Sequence, residues 1–207
     1  MILQADLGTH AMPVAKVAAV APADAAAMVL MRYLGELRFS SGADAFRLEG
    51  VLDEWPSFGD EFRAPCASVL AMPGDDTDQQ LVPEMLEETA GCHGDGTVLW
   101  KTEEMSIRFQ VDFWAATKPQ RAAIHAGLQA AFSPTEVRHG VMLPGVDEYW
   151  GLPVRAVLEA VERMMTKTDA EAGDWRLRTV IRCDVDAVHL RRVTRLEPRV
   201  IIDPDQS

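Results

Sequence analysis

"IRFQVDFWAATKPQRAAIHAGLQAAF", Ile107 to Phe132, changes its period once, near the middle. In the first half Ile107, Phe109, Val111 and Phe113, continuing Met105 upstream, alternate with Ser106, Arg108, Gln110, Asp112 and Trp114. Successive side chains on a strand point to opposite faces, so the pattern predicts a strand with one apolar face. Thr117-Lys118-Pro119-Gln120 then supplies a capping hydroxyl, a proline in the first turn and a glutamine at the capping-box position. Ile124, Leu128, Ala131 and Phe132 follow at helical spacing, and Ser133-Pro134 stops the helix.

Upstream, Pro22–Phe39 predicts an amphipathic helix with Asp24 as cap and Ala27, Leu30, Met31, Leu34 and Leu37 on one stripe. Phe39-Ser40-Ser41-Gly42 ends it, and a short strand is expected over Phe46–Leu52. Asp53–Arg63 carries proline and glycine and reads as a loop. Pro65–Met72 is nearly all apolar, which fits a strand buried on both faces. Residues 73–104 read as a long acidic loop with a short helix at Pro83–Thr89.

Downstream, Leu152–Glu162 sets Val154, Ala156, Leu158 and Ala160 against Arg155, Glu159 and two valines, a strand pattern that also admits a helix. Trp175–Val188 alternates more clearly. Trp175, Leu177, Thr179, Ile181, Cys183 and Val185 are expected inward, with Arg176, Arg178, Arg182, Asp184 and Asp186 outward. Met164–Asp174 between them reads as a polar hairpin loop. The expected fold is α+β: a single, mostly antiparallel sheet with two helices packed on one face. It spans 22–190, between an N-terminal arm, 1–21, and a C-terminal tail, 191–207, whose Val200-Ile201-Ile202 cluster is suited to docking.

The 207 residues suffice for one domain with a real core, and 48% apolar against 25% charged is an ordinary globular balance. No apolar run approaches the ~18 residues that cross a bilayer, and no basic region precedes Val14–Ala21, so a signal peptide is not expected. Three distant cysteines, Cys66, Cys92 and Cys183, do not make a disulfide framework and fit a reducing compartment or incidental thiols. A net charge of −12 opposes binding to a phosphate backbone, which draws its affinity from clustered Lys and Arg. The charge is uneven: residues 73–104 hold nine acids and one lysine, and 174–199 hold seven arginines and four acids.

No catalytic, cofactor or metal-binding residue is assigned. Cys92-His93 invites a metal, but adjacent ligands rarely reach one ion and no CxxC or HxxxH partner exists. Cys183, Asp184, Asp186 and His189 do not converge if they lie on one strand; Asp184 and Asp186 are expected to pair with Arg155 or Arg163. His125 falls beside the helix stripe, and His10 and His139 fall in loops. GxSxG, P-loop, GxGxxG and HExxH motifs are absent from the sequence. Asp53-Glu54-Trp55 and Asp147-Glu148-Tyr149-Trp150 join acids to aromatics, which suits a sugar platform or, better, a loop or interface anchor. A good core without a catalytic constellation points to a protein that works through its surfaces.

The stretch "RFQVDFWAATKPQRAAIHAGLQAAF" resembles the signature region of bacteriophage tail-terminator and related neck or tail-completion proteins, where a strand ending in a hydrophobic-Asp-aromatic phrase leads into a capped Ala/Leu-rich helix. The early helix at Pro22–Phe39, the proline-led strand at Ala64–Met72, Tyr149-Trp150-Gly151 and a final hairpin ending near "CDVDAVHL" extend the resemblance over 22–190. The long 73–104 stretch, the N-terminal arm and the Val200–Ile202 tail depart from it.

The resemblance implies no enzyme and no cofactor. It implies a structural virion protein, assembled in the host cytoplasm, that forms a ring with copies of itself, commonly a hexamer. Such a ring terminates the tail tube, joins it to connector or neck proteins, and lets DNA pass without specific binding. On that expectation Asp75, Asp76, Asp78, Glu84, Glu87 and Glu88 line the lumen or rim. Arg176, Arg178, Arg182, Tyr149 and Trp150 face the neighbouring copy, so reversing the three arginines should separate copies and leave the subunit folded. The alternatives are a head–tail adaptor or baseplate component, or a small ligand- or metal-binding enzyme domain.

Overall fold

Pro22 opens the first helix. The computed structural model describes residues 20–42, 44–55, 64–74, 76–90, 95–132, 140–164 and 175–194. In it α1 runs Pro22–Glu36, with the fixed φ of proline preset for the first turn. Ala21, not Asp24, is the N-cap; Asp24 lies in the first turn, where its charge meets the positive end of the helix dipole. The buried stripe is Ala25, Ala26, Val29, Leu30 and Leu34, rotated from the expected one, and Ala27, Met31 and Leu37 are half-buried. Phe39 lies outside the helix. It begins β1 (Phe39–Ser41), which pairs antiparallel with β2 (Asp44–Phe46) through a turn where Gly42 takes φ 68°. The strand expected over Phe46–Leu52 is therefore divided: Phe46 closes the small hairpin, and Gly50–Leu52 forms β3.

The remaining strands are β4 (Cys66–Ala71), β5 (Asp76–Ala90), β6 (Asp95–Ala115), β7 (Val141–Leu143), β8 (Val154–Met164) and β9 (Trp175–Thr194). The main sheet has the order β3-β4-β6-β9-β8-β7, and β5 pairs with β6 off that path. The β3–β4 pair is parallel; β4–β6, β7–β8 and β8–β9 are antiparallel. Residues 76–90 and 95–104 are thus strand where the sequence reads as loop and short helix. Dense acids and Pro83 hide the pattern from a period-two reading, and a proline is tolerated on a strand with a partner on one side.

The opening stretch folds as its periodicity requires. Ile107, Phe109, Val111 and Phe113 are buried on one face of β6, beside Leu177, Ile181, Cys183 and Val185 of β9 and Ala67 and Val69 of β4. Each buried side chain of this size stabilises the fold by about 1.5–3 kcal/mol. The helix α2 (Lys118–Phe132) follows, with Thr117 Oγ1 accepting from the Gln120 amide at 3.3 Å and Gln120 Oε1 accepting from the Ala116 amide at 3.1 Å. Its buried residues are Arg121, Ala123, Ile124, Leu128 and Phe132. The two helices touch where the Phe132 ring meets Tyr33 edge-on at 5.4 Å. The α1 helix contacts β3, β4, β7 and β8, and α2 contacts β1 and β8.

One irregularity changes which residues of β8 face inward. The β8–β9 register shifts between Leu158 and Ala160, so Leu158 opposes Ile181 and Ala160 opposes Val180. The extra residue, Glu159, is a β-bulge. The expected alternation Val154, Ala156, Leu158 holds up to that point and then inverts, because Val161 now opposes the buried Thr179.

Contacts group the chain into two compact units. One comprises Ala18–Gln79 and Glu103–Ala187, which contains both helices and β1 to β4, β7 and β8. The other comprises Met1–Val17, Gln80–Thr102 and Val188–Ser207; its described residues are 80–90, 95–102 and 188–194. Within this second unit Leu99 and Lys101 are buried.

Gly127 lets α2 approach β1: a Cβ there would stand 2.6 Å from a Phe39 ring carbon. Alanine normally gains about 1 kcal/mol over glycine in a helix, but overpacking costs about 1–3 kcal/mol. Gly127→Ala should therefore lower stability in a denaturant titration, and Phe39→Leu should recover part of the loss. A stabilised Gly127→Ala chain would show that this contact is not tight.

Candidate functional site

The face of the sheet opposite the helices carries a continuous run of ion pairs. It begins at Asp112, which lies on β6 between two buried apolar neighbours and is itself fully buried. Its Oδ1 accepts from Arg176 Nε at 3.0 Å and Arg178 Nε at 3.2 Å, and its Oδ2 from Gln110 Nε2 at 2.6 Å. Arg176 Nη2 stands 2.9 Å from the same Oδ1, at ion-pair distance but without hydrogen-bond geometry. Arg176 is also covered by aromatic faces, 4.5 Å from the Trp55 ring centre and 5.5 Å from that of Trp114, and the two indoles meet edge-on at 5.6 Å. Ser68, directly across from Asp112 on β4, is fully buried and its hydroxyl has no hydrogen-bond partner in this structure.

The run continues along β9. Asp184 accepts from Arg155 Nε at 2.8 Å and Ser106 Oγ at 2.6 Å, and Arg182 Nε lies 3.1 Å from its Oδ1. Arg182 Nη1 and Arg108 Nε both reach Glu159, at 3.3 Å and 3.1 Å, since alternation along β8 places Glu159 on the same face as Arg155. The expected Arg155–Asp184 pair is present, with a closest approach of 2.7 Å. Position decides what each pair is worth. Exposed pairs such as Arg108–Glu159 contribute about 0–1 kcal/mol, whereas removing one partner of a buried charge costs about 3–5 kcal/mol.

This geometry answers for the arginines proposed as contact residues. Arg176, Arg178 and Arg182 have side chains only 18% to 33% exposed and engage acids of their own chain. Reversing Arg176 and Arg178 would set acids against the buried Asp112, and reversing Arg182 would set one against Glu159 and Asp184, so the reversed subunit should lose stability rather than simply stay folded. Asp76, Asp78, Glu84, Glu87 and Glu88 lie on β5, and Asp75 lies outside the described residues. Cys92, His93, His10 and His139 also lie outside them.

Tyr149 and Trp150 belong to a loop anchored from several sides. Tyr149 is buried and donates from its hydroxyl to the Asp186 carbonyl at 2.7 Å. A 3₁₀ turn, Asp147–Tyr149, ends with Trp150 in the left-handed region at φ 54°. Gly151 N donates to Val146 O at 2.8 Å and Trp150 N to Asp147 O at 3.3 Å, the bonding of a Schellman cap with tryptophan where glycine is usual. Arg32 of α1 donates to the Pro144 and Gly145 carbonyls at 2.6 and 3.0 Å. Gly145 admits no side chain, since a Cβ would stand 2.0 Å from Leu152 O.

Among the described residues no group of three or more His, Cys, Asp and Glu side chains is arranged to hold a metal ion. Cys66 and Cys183 are buried and are not joined in a disulfide. Burial, reinforced by the Asp184 carboxylate, pushes the Cys183 thiol up to about 12. The sequence had marked Asp112 and Gln110 as the polar side of a strand; their union with Trp55 and Ser68, from distant segments, carries no local signal.

Two outcomes follow from burial. Asp112→Asn should destabilise the chain by about 3 kcal/mol or more, against at most about 1 kcal/mol for Glu159→Gln; equal losses in urea titrations would mean that Asp112 is not the anchor. Cys183 should resist iodoacetamide at pH 8 until the chain is unfolded. A raised thiol pKa stabilises the fold fully below the ordinary value of 9, and this is lost as pH rises through about 12. Cys183→Ala should therefore flatten the alkaline fall in stability over that window, and an unchanged fall would place its cause elsewhere.

No protein-family model matches the chain, and no curated protein matches it, so its functional reading rests on residues and geometry.

Proposed function

We propose that this chain is a structural subunit of a phage-type tail, forming a closed ring of identical copies at the head-proximal end of the tail tube. The observation that carries the reading is the β6–α2 unit, where a strand ending in Val-Asp-Phe-Trp turns through Thr117 into a capped helix. Its neighbours support it by their order: an early helix, a proline-led strand, an aromatic loop and a closing pair of antiparallel strands. The ring joins the tube to neck or connector proteins. Its net charge of −12 favours free passage of DNA, since like charge keeps phosphate from adhering to the wall. The acids of β5 are the proposed lumen or rim.

Size-exclusion chromatography with light scattering tests the reading. A mass several times 22.8 kDa, alone or after adding a tail-tube protein, is the expected outcome. A chain that stays monomeric in the presence of tube and connector proteins would refute it.

A further inference from the structure

Three large hydrophobic side chains are exposed among the described residues: Met142 at 59%, Trp55 at 44% and Leu52 at 38%. Their places are not random. Met142 lies on β7 and Leu52 on β3, the two ends of the sheet path, and Trp55 follows β3. Cross-strand partners share a face of the sheet, so the register tells which face each residue occupies. Met142 opposes Arg155, which opposes Asp184; Leu52 pairs with Ser68, which opposes Asp112. Both chains of pairing end on the ion-paired face. Trp55 joins them there through Trp114 and Arg176.

We infer, on the ring reading above, that copies of this chain meet edge to edge, the β7 edge of one against the β3 edge of the next. A head-to-tail ring needs two unlike patches on each subunit, and these edges supply them. The strands match in length, three residues each. They also match in direction. Following the pairings across the sheet, with β6 and β9 antiparallel as Asp112 facing Arg176 and Arg178 and Ser106 facing Asp184 require, β3 and β7 run the same way. Two copies with the same face outward therefore pair β7 with β3 in parallel, which sets Met142 beside Leu52 and Trp55 on one continuous surface.

Charge agrees at one end of the seam. Arg32 is exposed and fastened to the Pro144 and Gly145 carbonyls just past β7, and Asp53 and Glu54 are exposed just past β3. Parallel pairing brings these ends together; Asp147 and Glu148, also exposed beyond β7, oppose the attraction in part. Short edges are a common protection against unwanted pairing, usually reinforced by lysine or an inward charge. Here the outward positions carry methionine and leucine, which protect nothing.

The test uses two full-length variants, Met142→Lys and Leu52→Lys, with Met142→Gln and Leu52→Gln as substitutes should a lysine chain fail to melt cooperatively. Each variant alone should lose the multimer, needing at least about tenfold more protein for half-assembly. Mixed in equal amounts, the two should form a heterodimer of twice the subunit mass and nothing larger, since each retains the edge that the other lacks. Either variant keeping the parental mass, or a mixture that stays monomeric, overturns the edge pairing while a multimeric parent leaves the ring reading intact. A monomeric parent in the presence of the tube and connector proteins overturns both.

Discussion

A carboxylate without solvent contact sits in the middle of the sheet, and much of the rest is arranged around it. Asp112 occupies a central strand between Val111 and Phe113, where an unpaired charge would be intolerable. It is tolerated because β9 delivers Arg176 and Arg178 to one oxygen and Gln110 serves the other. This ties the register of β6 to that of β9. A slip of one residue would turn the arginines to the apolar face and bring Leu177 against the carboxylate. The pairing therefore specifies an arrangement more than it adds stability, since a buried ion pair only roughly offsets the desolvation of its members.

The same logic extends along the sheet through smaller devices. Glu159, on the same face as Arg155 by alternation, meets Arg108 and Arg182, and the bulge there inverts the facing of the residues that follow. Asp184 receives Arg155 from one neighbouring strand and Ser106 from the other. The result is a charged face with little free charge: acids and arginines neutralise one another within the chain, so their attraction is mostly unavailable to a partner. Met142 and Leu52, exposed and outside this network, lie at the sheet's two ends.

Backbone geometry adds a second rigid element. The turn over 144–152 closes on a tryptophan in a conformation that suits glycine, held by Arg32, by the Tyr149 hydroxyl and by the lack of a side chain at Gly145. A bulky left-handed residue costs about 1–2 kcal/mol, and it persists where its surroundings determine it. That loop lies directly after β7, so the anchoring also stiffens one end of the sheet.

The period-two runs of β6 and β9, the cap at Thr117 and the α+β class were legible in the sequence, because each depends on neighbours a few residues apart. The Arg155–Asp184 pair was legible for a related reason, since a strand's polar side must find its charges across the sheet. The strand character of residues 76–90 was not, because acids and Pro83 obscure the alternation that pairing with β6 sustains. Nor was the inversion after Leu158, which a bulge imposes through registry with β9. The arginines looked like a free surface because local pattern reports only which way a side chain points. What it meets there is decided by segments far away in sequence, and burial of Asp112 beneath Arg176 and Trp55 exists only once β3, β4, β6 and β9 are side by side.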